Sequence, residues 1–348
     1  MSNRFVDLGL RSPVNLTWEV TLLCNLRCRH CLSSSAEPAP DELTTAEALD
    51  LVDQLHEARV FQINFGGGEP FMRPDFEQIL DACHSKGIMT CISTNGTLID
   101  EARVERLSRT RLVAIQVSLD GVKQETNEGI RGKGTYEAAI KAVKLLAKTD
   151  IPTSINTVLT STNADEIPAM HALAEELGVS FRVSRFRPSG RGAENWQELS
   201  PTPEQLVDFS KWLAEAGDIR TGDSFFSLTS QERQGLGLNL CGAAKLTCCI
   251  GPTGKAYPCA FLQTDHFLAG DIRKNSFQEI WDDSEIYASF RNLRIHSCED
   301  CQRYDQCHGG CPAVAWHLKN DIAGGDPECL ERCVTLISDE KNTKDVAV

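Results

Sequence analysis

Cys24-Asn-Leu-Arg-Cys28-Arg-His-Cys31 places three thiols at spacings of four and three residues, directly after a β-rich run, Asn15–Leu22. A loop of this spacing can wrap one iron–sulfur cubane and ligate three of its irons. The fourth iron then stays open to an exchangeable ligand, as in a catalytic metal site with a free position. His30 keeps a second reading alive, a zinc loop of three thiolates and one imidazole.

Outward from this loop the chain alternates β-rich with amphipathic runs. Strands are predicted at Asn15–Leu22, Gln62–Phe65, Met89–Ser93, Val113–Ser118, Thr153–Leu159 and Phe181–Arg185. Helices are predicted at Thr45–Ala58, Pro74–Lys86, Glu101–Arg109, Tyr136–Lys148 and Ala164–Leu177, the first opened by Thr44 or Thr45 with Glu47 near capping-box spacing. Gly87, Pro152 and Gly178 mark turns before three of the strands. Such alternation implies βα units and a parallel sheet, either doubly wound or an incomplete (β/α) barrel, with function at the carboxyl ends of the strands. The polar features obey that rule: Cys24–Cys31, Gly66–Pro70, Ser93–Gly96 and Ser118–Gly121 follow the first four strands in turn. We expect an α/β domain over 1–192, a bridging region with a helix at Pro203–Gly217 over 193–240, and an irregular cysteine-rich domain over 241–348.

Composition narrows the class of protein. The net charge of −14 argues against nucleic acid or an anionic membrane as the main partner. No run is long and apolar enough to span a bilayer, and the N-terminus lacks a secretion signal, so a cytoplasmic enzyme is expected. Of fifteen cysteines, three fall in 24–31 and ten between Cys241 and Cys333, a clustering that in a reducing compartment points to metal ligation rather than disulfides. Cys83, Cys91 and Cys333 are expected as spare or buried thiols.

Two further stretches carry chemistry. In Gly66-Gly67-Gly68-Glu69-Pro70 the glycines let backbone approach a ligand closely, and Glu69 offers an acceptor to an ammonium. Asp120, Asp223 and Asp265 are the candidates for a catalytic acid or base.

The C-x3-C-x2-C loop, followed one βα unit later by Gly66–Glu69, resembles the radical S-adenosylmethionine (SAM) enzymes. The resemblance implies a partial (β/α)6 TIM-like barrel and a 4Fe-4S cluster on Cys24, Cys28 and Cys31, with SAM chelating the open iron. Reductive cleavage of SAM would release a 5′-deoxyadenosyl radical. It also implies that Gly66, Gly67, Gly68 and Glu69 meet the SAM amino group, that Ser118 and Asp120 lie near the ribose, and that Arg131 meets the carboxylate. Asn156 is a weaker member of this set.

The C-terminal cysteines resemble a second pattern, the SPASM extension. Cys241 is followed by twelve residues, Gly254, four residues and Cys259, and then by Cys298-x2-Cys301-x5-Cys307-x3-Cys311 and Cys329. That likeness implies two auxiliary iron–sulfur clusters of the 4Fe-4S type, one on Cys241, Cys248, Cys259 and Cys311, the other on Cys298, Cys301, Cys307 and Cys329. Cys249 beside Cys248 leaves one ligand open, with spacing favouring Cys248.

The stretches Leu16–Glu19, Cys31–Ser35, Arg187–Gly192, Thr221–Phe226, Leu238–Ala243 and Asp265–Gly270 are similar to one subgroup, the mycofactocin maturases. This similarity implies oxidative decarboxylation of the C-terminal Tyr of a small precursor peptide ending in Val-Tyr, and its crosslinking to the Val. Only 23 residues precede Cys24, too few for a peptide-binding winged helix, so a separate small chaperone is expected, together with an external electron donor. Another SPASM maturase forming thioether or carbon–carbon links, or a tetrapyrrole side-chain decarboxylase, is the alternative; an iron–sulfur electron carrier would leave Gly66–Glu69 without a role.

Overall fold

The structure is a computed structural model and describes residues 10–216, 219, 221, 241–302 and 304–345. Asp223, all of the bridging stretch 222–240 and most of the similarity at Thr221–Phe226 therefore lie outside the described residues.

In chain order the first domain runs β1 (Asn15–Thr21), α1 (Thr45–Glu57), β2 (Gln62–Gly67), α2 (Phe76–Ser85), β3 (Met89–Thr94), α3 (Glu101–Leu107), β4 (Leu112–Ser118), α4 (Gln124–Arg131), α5 (Thr135–Leu146), β5 (Thr153–Leu159), α6 (Ile167–Glu176) and β6 (Ser180–Arg185). Thr44 caps α1 by the reciprocal capping box with Glu47. Helix α4 was not predicted, because Gln124–Arg131 presents almost no apolar residue to reveal a period. Two short turns, α7 (Arg191–Glu194) and α8 (Trp196–Leu199), lead to α9 (Pro203–Glu215).

The strands lie in the order β6-β5-β4-β3-β2-β1, every pair parallel. A doubly wound sheet reverses its strand order at a switch point; this one never does, so the arrangement is the incomplete barrel. Leu16, Trp18 and Val20 of β1, Ile63 and Phe65 of β2 and Ile115 and Val117 of β4 turn to the helices, and all are fully buried. Burying a side chain of this size contributes about 1.5–3 kcal/mol. The opposite face is polar: Gln116 Nε2 donates to Ser93 Oγ (3.1 Å), and Ser184 Oγ donates to Asn156 Oδ1 (2.7 Å).

The cysteine-rich segment extends this same sheet. β7 (Thr247–Ile250) adds parallel to β1, and β8 (Lys255–Tyr257) and β9 (Gly270–Asp271) follow antiparallel. α10 (Phe277–Asp283), α11 (Glu285–Arg291), α12 (Tyr304–Cys307), α13 (Pro312–Lys319) and α14 (Leu330–Asp345) complete it, with α14 packed on α9. The boundary near 240 thus crosses a continuous sheet. Among the described residues no helix is long and apolar enough to cross a membrane.

Candidate active site at the carboxyl ends of the strands

The cysteine loop leaves β1 as a clasp: Cys24 N donates to Ala36 O (2.9 Å) and Ala36 N to Leu22 O (3.0 Å). Arg29 N donates to Ile130 O of α4 (2.9 Å), fastening the middle of the loop. From the other side Arg191 reaches Cys28 O (2.9 Å) and Ser35 O (2.8 Å), and Gly192 N reaches Cys31 O. Gly190, at φ +53°, lies so close that a Cβ would sit 2.4 Å from Leu32 O. The Arg187–Gly192 stretch is therefore the outer clamp of the loop, a role that sequence similarity alone did not assign.

The three glycines divide into two roles. Gly68 N and Glu69 N donate to Thr21 O and Leu23 O, at 2.7 and 2.9 Å. A Cβ would lie 2.6 Å from Thr21 O at Gly67 and 2.2 Å from Leu23 O at Gly68, so no side chain fits where the two backbones meet. At Gly66 a Cβ would meet nothing within 4 Å, which leaves open space beside the loop.

Glu69 is buried and engaged more fully than the sequence reading foresaw. Its carboxylate accepts from Thr94 Oγ1 (2.9 and 3.0 Å), Asn95 N (2.8 Å) and Phe71 N (3.3 Å). Burial pushes its carboxyl up to about 7 against these donors. Asn95 in turn donates to Asn25 Oδ1 (2.9 Å) and lies 3.9 Å from Cys24 Sγ. Glu69 therefore holds the turn after β3 against the loop, in addition to any contact with a ligand.

Asp120 is the centre of a buried charge cluster. Its Oδ2 meets Arg131 Nε (2.5 Å) and His30 Nε2 (2.7 Å), and its Oδ1 accepts from Val158 N (2.8 Å). The Arg131 and His30 charges hold its carboxyl well below the usual range despite complete burial. Asp120 is thus tied to Arg131, His30 and the backbone of β5. With Nε held, Arg131 directs Nη1 toward Cys28 Sγ (4.0 Å). His30 gives Nε2 to Asp120, and among the described residues its buried Nδ1 has no hydrogen-bond partner. Ser118 pairs in register with Asn156 on the polar face, where Asn156 is occupied by Ser184. Asp265 is exposed, on a turn.

The thiols themselves suit a multi-iron cluster. All are free of disulfides, and burial pushes Cys24 up to about 11 and raises Cys28 against the pull of Arg131. Thiolates that desolvation disfavours persist where metal cations compensate them. In the second region Cys241, Cys259 and Cys311 line one cavity with Arg187, whose guanidinium lies 3.8 Å over the Phe261 ring. Cys298, Cys301 and Cys329 are all electrostatic neighbours of Cys307. Cys83 and Cys91 are buried away from both groups, in or beside the core.

Known proteins share this arrangement. The description Radical SAM superfamily matches residues 18–174, and an iron-sulfur cluster-binding domain, SPASM, matches residues 241–309. The chain is 40% identical over 331 residues to the mycofactocin maturase MftC of Mycobacterium tuberculosis, covering 93% of this chain and 85% of that one. It is 30% identical to an AdoMet-dependent heme synthase of Methanosarcina barkeri, over 92% of this chain and 97% of that one. In fold it resembles Streptococcus suis SuiB bound to S-adenosylmethionine, with a TM-score of 0.74 at 21% identity, covering 91% of this chain and 77% of that one. The chain is a radical SAM enzyme with a SPASM domain and belongs to the mycofactocin maturase family.

Proposed function

We propose that this enzyme modifies a small ribosomal precursor peptide ending in Val-Tyr, oxidatively decarboxylating the Tyr and joining it to the Val. The observation that carries the reading is the 40% identity to mycofactocin maturases, which extends over 93% of the chain and so includes both cysteine regions. Peptide binding is supported at the level of the fold by the likeness to SuiB, described with its precursor peptide SuiA bound.

A 4Fe-4S cluster with SAM, held by Cys24, Cys28 and Cys31, would supply a 5′-deoxyadenosyl radical able to take hydrogen from a tyrosine β-carbon. The chain's own part is to bind and orient. Gly66 leaves room beside the loop, Glu69 offers negative charge to the SAM ammonium, and Asp120 holds Arg131 for the carboxylate. Loss of CO2 and two hydrogens releases two electrons, one of them needing an acceptor besides the radical. Cys241, Cys259 and Cys311, with a fourth thiolate, are assigned to one auxiliary cluster, and Cys298, Cys301, Cys307 and Cys329 to a second. A separate small peptide-binding chaperone and an external electron donor complete the system.

The test is anaerobic reconstitution with SAM, a reductant and a Val-Tyr peptide, read by mass spectrometry. A product lighter by CO2 and two hydrogens is expected. An unaltered peptide beside a decarboxylated tetrapyrrole, offered in parallel because of the heme synthase similarity, would reverse the assignment.

A further inference from the structure

We infer that Cys249, and not Cys248, completes the thiolate set of Cys241, Cys259 and Cys311; the inference rests on the auxiliary-cluster reading above. Side chains alternate between the two faces of a strand, so neighbours in β7 point to opposite sides. In the parallel register Leu16 pairs with Cys248 and Thr17 with Cys249. Leu16 belongs to the fully buried face beneath the helices, which puts Cys248 on that face and Cys249 on the other. Thr247 shares the face of Cys249 and lines the cavity of Cys241, Cys259 and Cys311. Cys249 is the next side chain along that face, and Glu19 and Cys259 are among its electrostatic neighbours.

Cys248 is committed elsewhere. It is part of the buried hydrophobic core, as Leu16 is. The Tyr287 hydroxyl and Arg291 are its neighbours there. The Tyr287 hydroxyl also lies 3.2 Å from Tyr257 O. Spacing along the chain could not separate adjacent cysteines, but the pleat does.

Iron is counted after anaerobic reconstitution of Cys248→Ala, Cys249→Ala and, as control, Cys259→Ala. Cys249→Ala and Cys259→Ala should each lose about one third of the wild-type iron, while Cys248→Ala keeps all of it. Loss from Cys248→Ala, alone or together with Cys249→Ala, would overturn the inference, as would full retention in both. If Cys259→Ala also keeps its iron, the auxiliary-cluster reading itself has failed. Should Cys249→Ala not fold, Cys249→Ser keeps the size and an oxygen donor, and the EPR spectrum of the reduced auxiliary cluster decides. A changed spectrum supports ligation by residue 249, and an unchanged one overturns it.

Discussion

Arg185, at the carboxyl end of β6, grips Asp326 through both terminal nitrogens, Nη1 to Oδ2 at 2.5 Å and Nη2 to Oδ1 at 2.8 Å. Asp326 Oδ2 also accepts from Cys311 N at 3.0 Å. Glu328 adds a second carboxylate to the same guanidinium. One buried pair thus joins the last barrel strand to the backbone of a candidate cluster ligand, between residues 141 apart in sequence.

Asp326→Ala should destabilise the protein by about 3–5 kcal/mol, because it leaves the buried Arg185 charge without its main partner. Replacing both, Arg185→Met with Asp326→Leu, should recover much of that loss. Thermal unfolding of the two proteins measures the difference, and iron content of the single variant reports whether Cys311 has lost its position.

Replacing Cys24, Cys28 and Cys31 together by Ala should remove about four of about twelve irons per chain and abolish formation of 5′-deoxyadenosine. Iron and sulfide assays on the reconstituted protein, with chromatography of the SAM products, check both. A single zinc without sulfide would contradict the cluster reading at its root.

Glu69→Gln should weaken SAM binding roughly ten- to hundredfold, the worth of one charge-assisted hydrogen bond. Glu69→Ala should do more: it strands Thr94 Oγ1 and Asn95 N in a buried turn, at about 1–3 kcal/mol for each unsatisfied group, and so lowers stability too. The carboxyl titrates at about 7 in the protein against an ordinary 4.5. A cationic ligand favours the ionised form, so SAM affinity should fall as pH drops below about 7. Stability without ligand runs the other way: the contribution of the protonated acid is present below about 4.5 and lost as pH rises through about 7. Calorimetric titration across this window should show the dependence in the wild type and a flat profile in Glu69→Gln.

Cys311→Ala should lower decarboxylation of a Val-Tyr peptide far more than it lowers SAM cleavage. The loop at Cys24–Cys31 is built from β1, α4 and Arg191 and does not use Cys311. Both products are measured in one reaction, after far-UV circular dichroism has shown the variant folded. Normal decarboxylation by a folded, cluster-deficient variant would leave the auxiliary site with a structural task only.

The sequence by itself determined the strand alternation and the chemistry. Leu16, Trp18 and Val20 repeat every second residue, and each polar motif follows a strand, so local periodicity located β1 to β6 and the loops at their carboxyl ends. The spacing of Cys24, Cys28 and Cys31 is equally local, since three ligands of one cluster must fit in one loop. Tertiary structure decided what depends on contacts between distant segments. β7 is four residues long and gains its partner, β1, from more than two hundred residues away, so no window of sequence reveals it. Glu69 and Asp120 were legible as acids near the site. Their work as buried anchors was not, because it depends on Thr94, His30 and Arg131 arriving from other units of the fold. The face each cysteine of β7 presents was settled in the same way, by the register with Leu16 and Thr17.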